Sequence, residues 1–262
     1  MHSMVNTPEE LVQKILPMSL AKPAYNEIRP KRFIRLLQSN HATADETDEQ
    51  GLSRRSPLIV AFGDSVTAGW CEGNLFFEPE VRQMLMESGP PMEHITDIEI
   101  VYHEQLRKML AQKYERISPS VVNSGISGDT ITGMYHRVER DVLRYDPHLI
   151  LLNGSLNWKE DTAAYAEWYR RVLERLMGET DAEIVVMTPN LIIPALRGDL
   201  DRRVQVLLEQ ADRYGLCVCD TYSLWVRLEQ TGIDITQLLS NGVNHPTAFG
   251  HRLYANELMK LF

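Results

Sequence analysis

Five short aliphatic runs punctuate the chain, at residues 57–62, 119–123, 148–152, 183–188 and 215–219. None alternates strictly between apolar and polar positions, and that continuity marks strands covered on both faces. The segments between them carry apolar residues at helical spacing, over 76–86, 99–113, 134–144, 162–177 and 199–214. A last helical pattern holds Leu253, Leu258 and Leu261. Strand and helix in alternation imply right-handed βαβ units. The pattern therefore predicts an α/β fold: one five-stranded parallel sheet inside a three-layer α/β/α sandwich.

The first 56 residues follow a different pattern. Thr7-Pro8-Glu9-Glu10 reads as the cap of a short amphipathic helix with Leu11, Ile15 and Leu16 on one face. From Ser39 to Gly51 the chain is polar and free of large apolar residues, which predicts an exposed or mobile loop. We expect residues 1–56 to form an N-terminal appendage ending in that loop, and 57–262 to form the main domain.

Composition narrows the partners. The net charge of −9 leaves no basic field for a nucleic acid. The run Arg29-Pro30-Lys31-Arg32 is short and reads as a solvated turn. Three cysteines, Cys71, Cys217 and Cys219, lack framework spacing, which predicts reduced thiols and a cytoplasmic setting. Cys217 and Cys219 are two apart in an aliphatic run, so both point to one face of a strand, toward the core. Residues 1–20 lack the apolar stretch of a secretory signal, and no segment offers the ~20 apolar residues of a membrane span. His94, His103, His136 and His148 lack metal-ligand spacing, so no metal is expected.

Four polar turns lie at strand ends or in loops. The strand at 57–62 ends in Gly63-Asp64-Ser65. The second runs into Asn123-Ser124-Gly125-Ile126-Ser127-Gly128-Asp129-Thr130, and the third into Asn153-Gly154-Ser155-Leu156-Asn157-Trp158. The fourth turn, Asn241-Gly242-Val243-Asn244-His245-Pro246, precedes the last helix. In open α/β sheets the carboxyl ends of the strands are where ligands bind. A serine there is a helix cap, a nucleophile or both, and a nucleophile needs a base such as histidine to take its proton. Glycines at 125 and 128 let backbone N–H groups approach a ligand closely. The serine is not in the G-x-S-x-G elbow, so the α/β-hydrolase fold is not inferred.

Together these turns resemble the GDSL esterases, or SGNH hydrolase family, from about residue 57 to the C-terminus. The resemblance implies the flavodoxin-like strand order and hydrolysis of a small-molecule ester through an acyl-enzyme, without a cofactor. Matched turn by turn, Ser65 is the nucleophile and His245 the general base. Gly128 supplies an oxyanion-binding N–H, and Asn157 a side-chain amide for the same purpose. The family covers lipid, acyl-thioester and acetylated-carbohydrate substrates, so an acetylesterase and a lysophospholipase-like enzyme both remain open; a short-acyl ester is preferred on the cytoplasmic setting alone. Trp158 and Asn123 are candidates for substrate contact; Trp70, Phe76 and Phe77 line an acyl pocket or the core.

Two departures qualify the resemblance. The family's third turn reads Gly-x-Asn-Asp, whereas Gly154 is followed by Ser155, Leu156, Asn157 and Trp158. A one-residue bulge keeps Asn157 as donor; alignment on Gly154 would put Leu156 there instead. The family also carries an aspartate three residues before the histidine, and here that position is Gly242. Asn241 is the nearest polar substitute, able to accept an Nδ1–H bond through its carbonyl but not to balance an imidazolium. The expected arrangement is a Ser65–His245 dyad with Asn241 as a weak orienter. The competing class is a non-catalytic carbohydrate- or lipid-binding protein on the same fold.

Overall fold

A computed structural model describes residues 8–38, 56–72, 94–96, 98–115, 118–158 and 161–262. In chain order the elements are α1 (Pro8–Ala21), α2 (Lys31–Gln38), β1 (Leu58–Gly63), α3 (Ser65–Ala68), β2 (Trp70–Glu72), β3 (His94–Thr96) and α4 (Tyr102–Tyr114). There follow β4 (Ser120–Gly125), α5 (Ile131–Asp141), β5 (Leu149–Asn153), α6 (Thr162–Glu179), β6 (Glu183–Met187), α7 (Pro194–Arg197) and α8 (Leu200–Tyr214). The last are β7 (Cys217–Cys219), α9 (Thr221–Gln230) and α10 (Ala248–Met259).

The main sheet is parallel throughout, in the order β4-β1-β5-β6-β7. Renumbered along the chain this is 2-1-3-4-5, the flavodoxin-like order. Each strand sends alternate residues to opposite cores. Val60, Phe62, Ile150, Leu152, Ile184, Val186 and Val218 pack with residues of α5, α6 and α8. Ile59, Leu149, Leu151, Val185 and Met187 face the other way, with Phe33 and Leu37 of α2, Tyr102, Leu106 and Leu110 of α4, and Tyr254 and Leu258 of α10. Cys217 and Cys219 join this second core from the same strand face. A third cluster gathers Leu11 and Ile15 of α1 around Trp225, Leu228 and Leu253.

The basic run at 29–32 is not a solvated turn. Lys31 opens α2, and the Arg32 and Phe33 N–H groups donate to the Glu183 carboxylate at 3.1 and 2.7 Å. The Arg29 guanidinium donates to the Asn26 and Ile28 carbonyls. A helix N-terminus favours an anion, and this one comes from about 150 residues away, where no local pattern could reveal it.

The helix expected over 134–144 starts earlier, at Ile131, because Thr130 Oγ1 accepts from the Gly133 N–H at 3.2 Å and caps it. The antiparallel pair β2–β3 and helix α9, capped by Asp220, add to the expected elements. The helix expected over 76–86, with Phe76 and Phe77, and the loop over 39–51 lie outside the described residues. Among the described residues no helix is long and apolar enough to cross a membrane.

Candidate active site

Strand β1 delivers Ser65 through a tight turn. A Cβ on Gly63 would come within 2.1 Å of Thr67 Oγ1 and 2.4 Å of the Asn153 carbonyl, so only glycine fits that strand end. Asp64 then caps α3, its Oδ1 accepting from the Val66 N–H at 3.0 Å. The single turn of helix stops at Gly69, whose φ of 84° is left-handed. Ser65 is the first helical residue, so its N–H has no intrahelical acceptor.

His245 arrives from a sequence distance of 180 residues, and its Nε2 lies 2.9 Å from Ser65 Oγ. Both side chains are buried, with 8% of His245 and 3% of Ser65 exposed. The loop that carries the histidine is heavily cross-braced. Asn241 Oδ1 accepts from the N–H groups of Val243, Asn244 and His245 at 2.9, 2.9 and 3.2 Å. The Ser240 N–H donates to the His245 carbonyl at 2.7 Å. Asn190, just past β6, donates to the Asn244 carbonyl at 3.0 Å and is itself held by Tyr254. The Trp70 ring lies 6.2 Å from the imidazole.

Asn241 is therefore oriented differently from expectation. Three backbone donors occupy its carbonyl, and its amide nitrogen, not its oxygen, lies 3.4 Å from His245 Nδ1. Flipping the amide would abandon the three backbone bonds, which fixes the assignment.

The second turn presents Gly128 with a φ of 73°. A Cβ there would meet nothing within 4 Å, so the constraint is backbone conformation alone. The next residue connects it to the third turn: Asn157 Nδ2 donates to the Asp129 carbonyl at 3.1 Å. The structure thus brings Asn157 to the Gly128 turn. Asn123 is differently engaged, its amide bridging the Ala68 carbonyl at 3.3 Å and the Gly125 N–H at 3.0 Å. Trp158 is half-buried, its ring against Tyr165 and its indole N–H on the Asp161 carbonyl.

Electrostatically the site is dominated by a buried carboxyl. Burial pushes Asp64 up to about 6, opposed by the Val66 N–H and by His245 nearby. Behind it, burial lowers His103 to about 4 and His251 to about 3. His103 Nε2 sits 3.1 Å from the Thr67 carbonyl, and His251 stacks on Tyr102. Among the described residues no three His, Cys, Asp or Glu side chains converge as a metal site would require.

Sequence reasoning missed Arg137 and Asn190. Arg137 stands between Met134 and Val138, both buried, on one face of α5. A charged residue on an apolar helix face was the available signal. Asn190, in the polar turn after the fourth strand, offered the same kind of signal.

Comparison with known proteins places these features in context. The sequence profile of the GDSL-like lipase/acylhydrolase family matches residues 61–253. No curated protein sequence matches the chain. Among solved structures, an acetylxylan esterase from Geobacillus stearothermophilus is similar, with 21% identity and a TM-score of 0.61 over 78% of this chain and 94% of that one. A lipase/acylhydrolase from Enterococcus faecalis has 21% identity and a TM-score of 0.56, covering 78% of this chain and 93% of that one. An alpha/beta hydrolase from the Lake Arreo metagenome has 19% identity and a TM-score of 0.61, over 79% and 96%. At these identities the structural likeness speaks for the fold.

Proposed function

We propose, because the chain belongs to the GDSL-like lipase/acylhydrolase family, that it hydrolyses carboxylic esters with Ser65 as nucleophile and His245 as base. The observation that carries this reading is the 2.9 Å contact between Ser65 Oγ and His245 Nε2. That is hydrogen-bond reach for proton transfer.

In the reaction, Ser65 Oγ attacks the ester carbonyl as its proton passes to His245 Nε2. The oxyanion is met by the Ser65 and Gly128 N–H groups and the Asn157 amide. His245 returns the proton to the leaving alcohol as the C–O bond breaks, leaving an acyl-Ser65. Water then attacks this ester, giving its proton to His245, and the carboxylic acid leaves as Ser65 is reprotonated. A buried dyad, with Ser65 3% exposed, fits a short acyl group better than a bulky one.

A fluorophosphonate probe tests the chemistry. It should label Ser65 in the wild-type chain and fail in His245→Ala. A panel of p-nitrophenyl esters then ranks chain length, with acetate and butyrate expected ahead of decanoate. The neutral Asn241, standing where the family has an acid nearby, favours the competing reading of a non-catalytic binding protein. A folded wild-type chain that neither labels nor turns over would establish that reading instead.

A further inference from the structure

Arg137 is a guanidinium held almost entirely inside the protein, with 8% of its side chain exposed, lying 4.5 Å over the Phe62 ring. Its Nη2 donates to the Gly63 carbonyl at 2.7 Å. Its Nη1 donates to the Ser124 carbonyl at 2.8 Å and to Asp141 at 2.9 Å, and its Nε donates to Asp129 at 2.6 Å. Three of these acceptors lie at the ends of two strands and in the Gly128 turn; the fourth, Asp141, closes α5 itself. A buried charge is tolerated when its hydrogen bonds are met, and here an unusual share of them goes to the polypeptide around one site.

We infer that Arg137 is a positioning residue that gathers the three oxyanion donors into one corner, an inference resting on the esterase reading above. Through the Gly63 carbonyl it fixes the strand end that places the Ser65 N–H. Through Asp129 it fixes the turn that carries the Gly128 N–H. The Asp129 carbonyl in turn accepts from Asn157 Nδ2 at 3.1 Å, so the third donor is indexed to the same guanidinium.

Gly133 marks this arrangement independently. A Cβ there would stand 1.9 Å from Asp129 Oδ1, so the carboxylate occupies the space a side chain would need. Glycine is disfavoured inside a helix, and the seat of the Asp129 carboxylate accounts for it in α5. Lysine could keep the charge of Arg137 but not the planar fork that reaches several acceptors at once.

The test compares Arg137→Lys, Gly133→Ala, Asn157→Ala and the double variant Arg137→Lys/Asn157→Ala. Each is measured by kinetics on p-nitrophenyl acetate, by inhibition with a boronic acid that mimics the tetrahedral intermediate, and by thermal melting. Arg137→Lys should lower kcat by roughly 10- to 100-fold with KM within about 2-fold, and weaken the boronic acid in proportion. Gly133→Ala, whose Cβ displaces the Asp129 carboxylate, should melt lower and also weaken the boronic acid in proportion to its loss of kcat, a correlation that a purely structural role would not produce. Adding Arg137→Lys to Asn157→Ala should cost less than adding it to the wild type. Multiplicative effects in the double variant, or a less stable Arg137→Lys with unchanged kcat, overturn the inference alone. An inert wild-type chain overturns the esterase reading and the inference with it.

Discussion

Asp64 and Ser65 are neighbours with opposite demands on their surroundings. As the proposed nucleophile the serine needs a base at hand, while the carboxyl beside it is buried away from water and raised to about 6. Between about pH 4 and 6 the folded chain holds a proton on Asp64 that the unfolded chain has released. Its contribution to stability therefore declines as pH rises through that interval, by on the order of 3 kcal/mol in total. Asp64→Asn should melt closer to the wild type, or above it, at pH 8 than at pH 5. An equal difference in melting temperature at the two values would refute this. His245→Ala should cut turnover by about 10⁴-fold or more, whereas Asn241→Ala, which loosens the loop without removing the base, should cost about 10- to 100-fold. Steady-state kcat values distinguish the two. Ser65 and His245 stand out in the sequence because polar motifs, one at a strand end and one in the loop before the last helix, carry them. The orientation of Asn241 was not, since it depends on three backbone N–H groups that only the folded loop presents to its carbonyl.

At the scale of elements, α4 and α10 meet over a pair of buried imidazoles. His103 and His251 lie well below their ordinary value, at about 4 and about 3, because burial penalises the charged form. The unfolded chain takes up protons on them below about pH 6.5, and the folded chain does so only near pH 3–4. Their contribution to stability is therefore complete above about pH 6.5 and is lost as pH falls toward 3–4, opposite in sign to that of Asp64. His103→Gln keeps a donor for the Thr67 carbonyl and removes one titration. Its urea midpoint should fall less than the wild type's between pH 7 and pH 4.5. The periodicity placed helices in most of these regions because their apolar faces are continuous. It missed α2, whose N-terminus is completed by Glu183 on a distant strand. It also missed the first turn of α5, where a side-chain cap rather than an apolar stripe sets the boundary.

At the scale of the molecule, the aliphatic runs gave the parallel sheet because four of its strands are buried nearly end to end; the edge strand β4 departs from that expectation, with Ser120 and Asn123 exposed and Val121 and Val122 half-buried. The strand order came from the resemblance carried by the four turns. What no pattern announced is how firmly α2 engages the sheet, while α1 packs on α9 and α10. Phe33 and Leu37 sit in the core that also holds Ile59 and Leu151, with 1% and 3% exposed. A chain beginning at residue 57 should consequently lose thermal stability and bind a hydrophobic dye. Phe33→Ala in the full chain should cost about 3–5 kcal/mol, read from its urea midpoint. The Ser65–His245 contact spans 180 residues, and β1 can be completed only after β4 and β5 have been made. On the proposed reading, catalytic competence is thus a late event in the life of each molecule. A nascent chain halted before its last loop would carry Ser65 without the imidazole proposed to activate it. On refolding, ester turnover should return after helical signal does, because distant pairings form slowly. The molecule's own activity then serves as a clock for the completion of its fold.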